Sequence, residues 1–282
     1  MITEIRAALA RHLPHRDFRS IAPLGEGLDN LAFEVDGELI VRISRDADEG
    51  EPRREAETLA AVSRMSPLPV PVPVFADDES GVLAYAKVPG VPLLGRPVGE
   101  PEPLATALGG FLNALHTADT AGMERLVPHD TDPPAAWLED AEAAYGEAAD
   151  NIPGDFRPAI EAFLAAPPPA EPETRVFCHN DLGAEHILVD VQTGAVTGVI
   201  DWTDAAIADP MHDLARLYRD LGPEVFDLVL AHYDGPCDRD RVLYYARCAV
   251  LEDIAYGLTE QDRRLYADEG LAHLPWMFAA QE

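Results

Sequence analysis

The 282-residue sequence predicts an α+β chain in two unequal lobes, a small sheet-rich one followed by a larger helical one. Three observations carry that expectation. Over the first ~90 residues, short strand-type runs alternate with turn residues around one helical stretch. Beyond them, most apolar residues recur at helical spacing. Residues 176–201 interrupt that helical half with short apolar runs joined by a loop and a turn rich in His, Asp and Gly.

Each element follows from its local pattern. Residues 1–13 alternate apolar and charged side chains as an amphipathic helix does, which is unlike a secretory leader. Residues 21–35 read as strand, turn with Gly25 and Gly27, and strand; Asp36-Gly37 is a hairpin signal, and 39–44 is a third strand. Residues 51–63 have helical spacing and are stopped by Pro67 and the alternating Pro69-Val70-Pro71-Val72-Pro73. Residues 82–88 form another strand. Helices are expected over 104–116, 134–148, 155–164, 211–221, 225–233 and 239–258. The run Pro167-Pro168-Pro169 separates an inserted helical region, about 118–172, from the short strands beyond it. The expected lobes are 1–86 and 87–282, with a hinge near 85–90 and no internal repeat.

Composition narrows the class. An apolar fraction of 47% supports a large core. No apolar run is long enough to span a bilayer. Cysteine occurs only at 178, 237 and 248, too sparse for a disulfide framework, which suggests the cytoplasm. A net charge of −30 excludes nucleic-acid binding through phosphate neutralisation and would attract a cationic small molecule. The same acidity could serve solubility, and Lys87 as the sole lysine points to a general compositional bias. A monomer is expected.

Chemistry concentrates in His179-Asn180-Asp181-Leu182-Gly183-Ala184-Glu185-His186, followed by strand, turn, strand and Asp201-Trp202. A hairpin over 187–200 brings Asp181, His186 and Asp201 to its open end. A carboxylate that accepts a hydroxyl proton, beside two metal ligands, suits phosphoryl transfer from a nucleotide. Taken singly, Asp and His in such a loop are ordinary caps and turn formers.

These residues resemble the catalytic and metal-binding segments of the aminoglycoside phosphotransferase family, antibiotic kinases with a bilobal protein-kinase-like fold. The resemblance is greatest to the branches acting on the 2''-hydroxyl of aminoglycosides and on macrolides. It implies that Asp181 is the catalytic base and that His186 and Asp201 hold Mg2+, with His186 standing where most members carry Asn. It implies a phosphate-covering turn at Gly25 and Gly27. It also places Arg42 where the family has lysine, paired with Glu55 on the next helix. Arginine presents a planar fork rather than a point charge, so this is the clearest departure from the pattern. At the hinge, backbone groups of Tyr85, Ala86 and Val88 would meet the purine, and the bulky Tyr85 would favour GTP over ATP. Asp204, Glu252 and Asp253 are candidate contacts for substrate amines, although neighbours on a helix point about 100° apart, so one of Glu252 and Asp253 is expected to face the cleft. Asp130, Asp132 and Glu139 are weaker candidates of that kind. Asp209 or Asp213 would brace the catalytic loop from a helix N-terminus.

The expected activity is transfer of the γ-phosphoryl of GTP or ATP to an antibiotic hydroxyl, an aminoglycoside first. A macrolide or a tuberactinomycin peptide is the alternative acceptor. A non-catalytic nucleotide-binding protein of the same shape is the second class.

Overall fold

The structure, a computed structural model, describes residues 2–26, 30–44 and 50–278. Helix α1 (Ile2–His12) buries Ile5, Ala8 and Leu9, one face at helical spacing. Strands β1 (Ile21–Glu26), β2 (Asn30–Val35) and β3 (Leu39–Ser44) form an antiparallel meander after it. Helix α2 (Glu51–Met65) starts at Gly50, whose φ of 80° is open to glycine at little cost, with Pro52 in its first turn. Strands β4 (Val72–Asp77) and β5 (Val82–Ala86) complete a five-stranded sheet in the order β1-β2-β3-β5-β4. A two-residue strand, β6 (Val91–Pro92), leads out of this sheet into the second lobe.

The period-2 alternation of these strands sorts the sheet into two faces. Phe33, Val35, Leu39, Val41, Ile43, Val82 and Ala84 pack with the apolar stripe of α1. On the opposite face Arg42 lies between Ala32 and Leu83, and Ile40 lies opposite Tyr85. Placing Arg42 and Tyr85 on one surface is thus a consequence of strand register.

The remainder is built on helices: α3 (Pro101–His116), α4 (Thr120–Met123), α5 (Pro134–Ala148), α6 (Arg157–Leu164), α7 (Met211–Ala231), α8 (Arg239–Thr259) and α9 (Arg264–Met277). α8 is capped by the Asp238 carboxylate, which accepts from the Arg241 N–H at 3.2 Å. It packs against α5, α7 and α9 and is buried through most of its length. Between α6 and α7 run short strands β7 (Val176–Cys178), β8 (Ile187–Val189), β9 (Val196–Val199) and β10 (Ala206–Ala208). β8 and β9 form the expected hairpin, extended on the β8 side by β6, and β7 pairs with β10.

The structure departs from the sequence pattern in several places. Residues 72–77, where proline alternation signalled only a helix stop, form an edge strand; an edge tolerates proline because one side needs no ladder donor, and the register shifts between Pro73 and Phe75. β5 ends at Ala86, after which the Lys87 N–H donates to the Glu38 carbonyl at 2.8 Å. Helix α9 was not expected, since Pro275 and scattered acids obscure its period. The helices expected at 211–221 and 225–233 are both present, as two segments of α7 that meet at a kink at Gly222 (φ 73°, ψ 171°) before Pro223. Among the described residues no helix is long and apolar enough to cross a membrane.

Candidate active site

The loop between β7 and β8 is fixed from below by α7. Asp213, fully buried, accepts the N–H groups of His179 (3.1 Å) and Asn180 (2.8 Å) and contacts His116 Nε2 at 3.1 Å. Asp209 accepts the Met211 N–H at 3.0 Å and so caps the helix start. Asn180 has φ 69°, costly for a side-chain-bearing residue. Its amide is held by Asp130 (3.1 Å) and by His212 Nδ1 (2.8 Å), so Asp130 braces the loop. Asp132 and Glu139 lie off the cleft wall. Cys178, His116 and Asp213 also cluster, but both Asp213 oxygens are taken by backbone N–H groups, and the Cys178 thiol is buried.

The second half of the site hangs on β9. The Ile200 N–H donates to the His186 carbonyl at 2.9 Å, which ties the hairpin's end to the loop. Asp201 comes next, at φ 60°. His179, fully buried, contacts the Ile200 carbonyl through Nε2 (3.0 Å) and accepts the Asp181 N–H through Nδ1 (3.3 Å). Burial pushes its pKa down, against Asp213, so the ring is neutral with its proton on Nε2.

Three predicted side chains converge here. His186 Nδ1 lies 2.8 Å from the Asp181 carbonyl and 3.4 Å from Asp181 Oδ2, while Nε2 lies 3.7 Å from Asp201 Oδ2. With Nδ1 donating to that carbonyl, Nε2 faces Asp201 and is the ring nitrogen that could bind a cation. Burial lowers the His186 pKa, but Asp181, Glu185 and Asp201 outweigh it and raise it overall. Burial likewise acts to raise Asp181, and Arg216, at 3.3 Å, with His186 and Arg219 holds it below the usual carboxylate range. Ligand atoms of Asp181, Glu185 and His186 lie within 4.8 Å of one another, with Asp201 adjacent. One imidazole nitrogen among carboxylate oxygens is a donor set that fits a divalent cation.

A cleft of about 1040 Å³ opens between the sheet and these loops. Gly25, Arg42, Tyr85 and Val88 line its sheet side; Asp181, His186, Asp201 and Asp204 line its floor. Burial and the neighbouring Asp181 and Asp201 raise the Asp204 pKa. Glu55 is set back and is reached through Arg42, whose Nη1 donates to Glu55 Oε1 at 2.5 Å. Ala86 is off the wall, opposite Leu39 and Val72 in the sheet. Gly27 lies outside the described residues. Both Glu252 and Asp253 line the wall, against the expectation of one, because the cleft straddles two faces of α8. Burial pushes Asp253 up to about 7, opposed by Arg219, whose Nη1 lies 2.8 Å away.

Sequence reading missed Thr203, Arg216, Arg219 and Tyr266. Arg216 could have been found: it lies three residues after Asp213 on α7, one turn along the same face. Lys87 also lines the cleft but is ion-paired with Glu34 on the sheet.

A sheet carrying a buried cation paired to the following helix, set over a helical body whose loops present carboxylates, defines the protein-kinase-like fold. The chain belongs to the phosphotransferase enzyme family, whose model matches residues 20–246. It is similar to a viomycin phosphotransferase of Streptomyces vinaceus, 30% identical over 55% of this chain; the match spans about half (55%) of that relative's length. It is also similar to an aminoglycoside 3'-phosphotransferase of Streptomyces fradiae, 29% identical, covering 85% of this chain and 96% of the relative. A solved structure of the GDP complex of aminoglycoside 2'-phosphotransferase-IIIa superposes over 98% of both chains, with a TM-score of 0.72 and 22% identity, and shares the fold.

Proposed function

We propose that this protein transfers the γ-phosphoryl group of GTP or ATP to a hydroxyl of a cationic antibiotic, an aminoglycoside first. The observation that carries this reading is the convergence of Asp181, His186 and Asp201 in one cleft whose acceptor wall bears Glu252 and Asp253. Asp181, kept ionised by Arg216, orients the acceptor hydroxyl and takes its proton. Arg42, ordered by Glu55, donates to phosphate oxygens. His186 and Asp201 are the residues that would hold Mg2+, which when bound neutralises charge on the transferring group. The reaction proceeds by positioning and charge stabilisation, with no covalent enzyme intermediate.

Tyr85 shares the sheet face of Arg42, and its bulk at the purine end favours GTP. The nucleotide lobe is 1–86 and the acceptor lobe 87–282, hinged at 85–90. Three free thiols fit a cytoplasmic enzyme. The similarity to a viomycin phosphotransferase supports a second acceptor, a cationic peptide antibiotic of the tuberactinomycin kind; a macrolide is the third.

The test is an antibiotic panel incubated with Mg2+ and either GTP or ATP, read by mass for one added phosphate. Native protein should modify at least one cationic antibiotic. Asp181→Asn should lose about 100-fold or more in kcat while binding nucleotide normally. Equal inertness of both proteins across the panel would overturn the enzyme reading in favour of a non-catalytic nucleotide binder.

A further inference from the structure

We infer that Thr203 is a positioning residue that makes an arginine workable where a nucleotide-phosphate cation is needed, and that Arg42 and Thr203 act as a matched pair. This rests on the phosphotransferase reading of the cleft. Arg42 is buried at the root of the site, and its two terminal nitrogens point different ways. Nη1 donates to Glu55 Oε1 on α2; Nη2 donates to Thr203 Oγ1 at 2.9 Å. Thr203 in turn donates to Asp201 Oδ1 at 2.8 Å. The direction of this chain is forced. A guanidinium only donates, so the threonine oxygen must accept from it, and its single proton is left for the Asp201 carboxylate.

This chain of bonds shapes the site twice over. The Asp201 carboxylate is oriented from both sides, Oδ1 held by Thr203 and Oδ2 facing His186 Nε2 at 3.7 Å. Arg42 Nη1 itself stays 3.9 Å from Asp201 Oδ1, so the hydroxyl keeps the cation from collapsing onto that carboxylate. Burial would lower the Arg42 pKa, and Glu55, Tyr85 and Asp201 more than restore it. A lysine here would end one bond earlier, roughly 1.3 Å short of the Nη positions, and would carry no fork to reach α2 and the floor at once. Thr203 is exposed on the cleft floor, so its hydroxyl is not required to fill the core.

The test uses calorimetric binding of GDP, ADP and guanosine without divalent metal, alongside GTP kinetics with Mg2+, on native protein, Thr203→Val, Thr203→Ser, Arg42→Lys and the double variant. Thr203→Val should weaken diphosphate binding about tenfold while leaving guanosine binding and the thermal midpoint unchanged, and Thr203→Ser should restore it. Arg42→Lys should cost less in the Thr203→Val background than in the native one. Equal diphosphate affinity in native protein and Thr203→Val, or strictly additive losses in the double variant, would overturn the pairing while leaving the kinase reading intact. A native protein that binds neither nucleotide would overturn both.

Discussion

Replacing Arg216 by methionine should raise the Asp181 pKa and move the acid limb of catalysis upward. Arg216 is largely but not fully buried on α7, and its Nε lies 3.3 Å from Asp181 Oδ1. Among the described residues that nitrogen has no hydrogen-bond partner, so the contact acts through charge. Two unit charges at that separation interact by about 5 kcal/mol at an effective dielectric near 20. The guanidinium charge is delocalised, and His186 and Arg219 remain nearby to hold the carboxylate ionised. The Asp181 pKa should therefore rise, with a loss of carboxylate stabilisation well below that coulombic figure, about 1–3 kcal/mol. Methionine preserves bulk beside Trp137, over which the guanidinium lies at 5.8 Å. The sign is set by linkage. In native protein Asp181 titrates below its unfolded value, so its carboxylate stays ionised to low pH and the associated stability is lost only as pH falls through the folded pKa. In Arg216→Met one of the charges opposing burial is gone, so the proposed base protonates sooner and kcat/KM should fall off at a higher pH. Carboxyl-carbon NMR of aspartate-labelled protein reads the same shift without turnover. A folded variant with an unmoved acid limb and an unmoved Asp181 resonance would refute the assignment of Arg216 as the ionising partner.

Two further outcomes concern stability. Gly90 has φ 122°, and a Cβ there would collide with Thr197 Oγ1 and lie 3.1 Å from the Val189 carbonyl; Gly90→Ala should cost about 1–3 kcal/mol in urea unfolding, and an unchanged midpoint would count against a tight approach at the start of the second lobe. Burial pushes the His273 pKa down to about 4, with Asp220 opposing and Arg219 adding. The unfolded chain therefore binds this proton first, and stability present above about pH 6.5 is lost as pH falls toward 4, on the order of 3 kcal/mol. His273→Gln should flatten that slope, seen by comparing urea midpoints near pH 7 and near pH 5.

Local sequence determined the parts whose physics is local. Strand alternation put Arg42 and Tyr85 on one face, and the turn after Asp190 folded β8 onto β9 and delivered Asp201 beside His186. Helix breaks were readable as well, because Gly222-Pro223 cannot continue an α-helix whatever surrounds it. The convergence of Asp181, His186 and Asp201 was legible for the same reason: a single hairpin of short reach joins them.

Tertiary structure decided what depends on residues far apart in the chain. Arg42 meets Thr203, 161 positions later, only because the sheet sits over the loop after β9. Proline alternation at 69–73 could not reveal a strand whose place at the sheet edge is set by β5. The acidic residues of α8 look like a solvated pair in sequence, yet packing turns Asp253 onto Arg219 and leaves both it and Glu252 on the cleft wall. Charge in an extended chain is hydrated and nearly independent of its neighbours. Folding removes that water, so which side chains face one another then sets each carboxylate's ionisation.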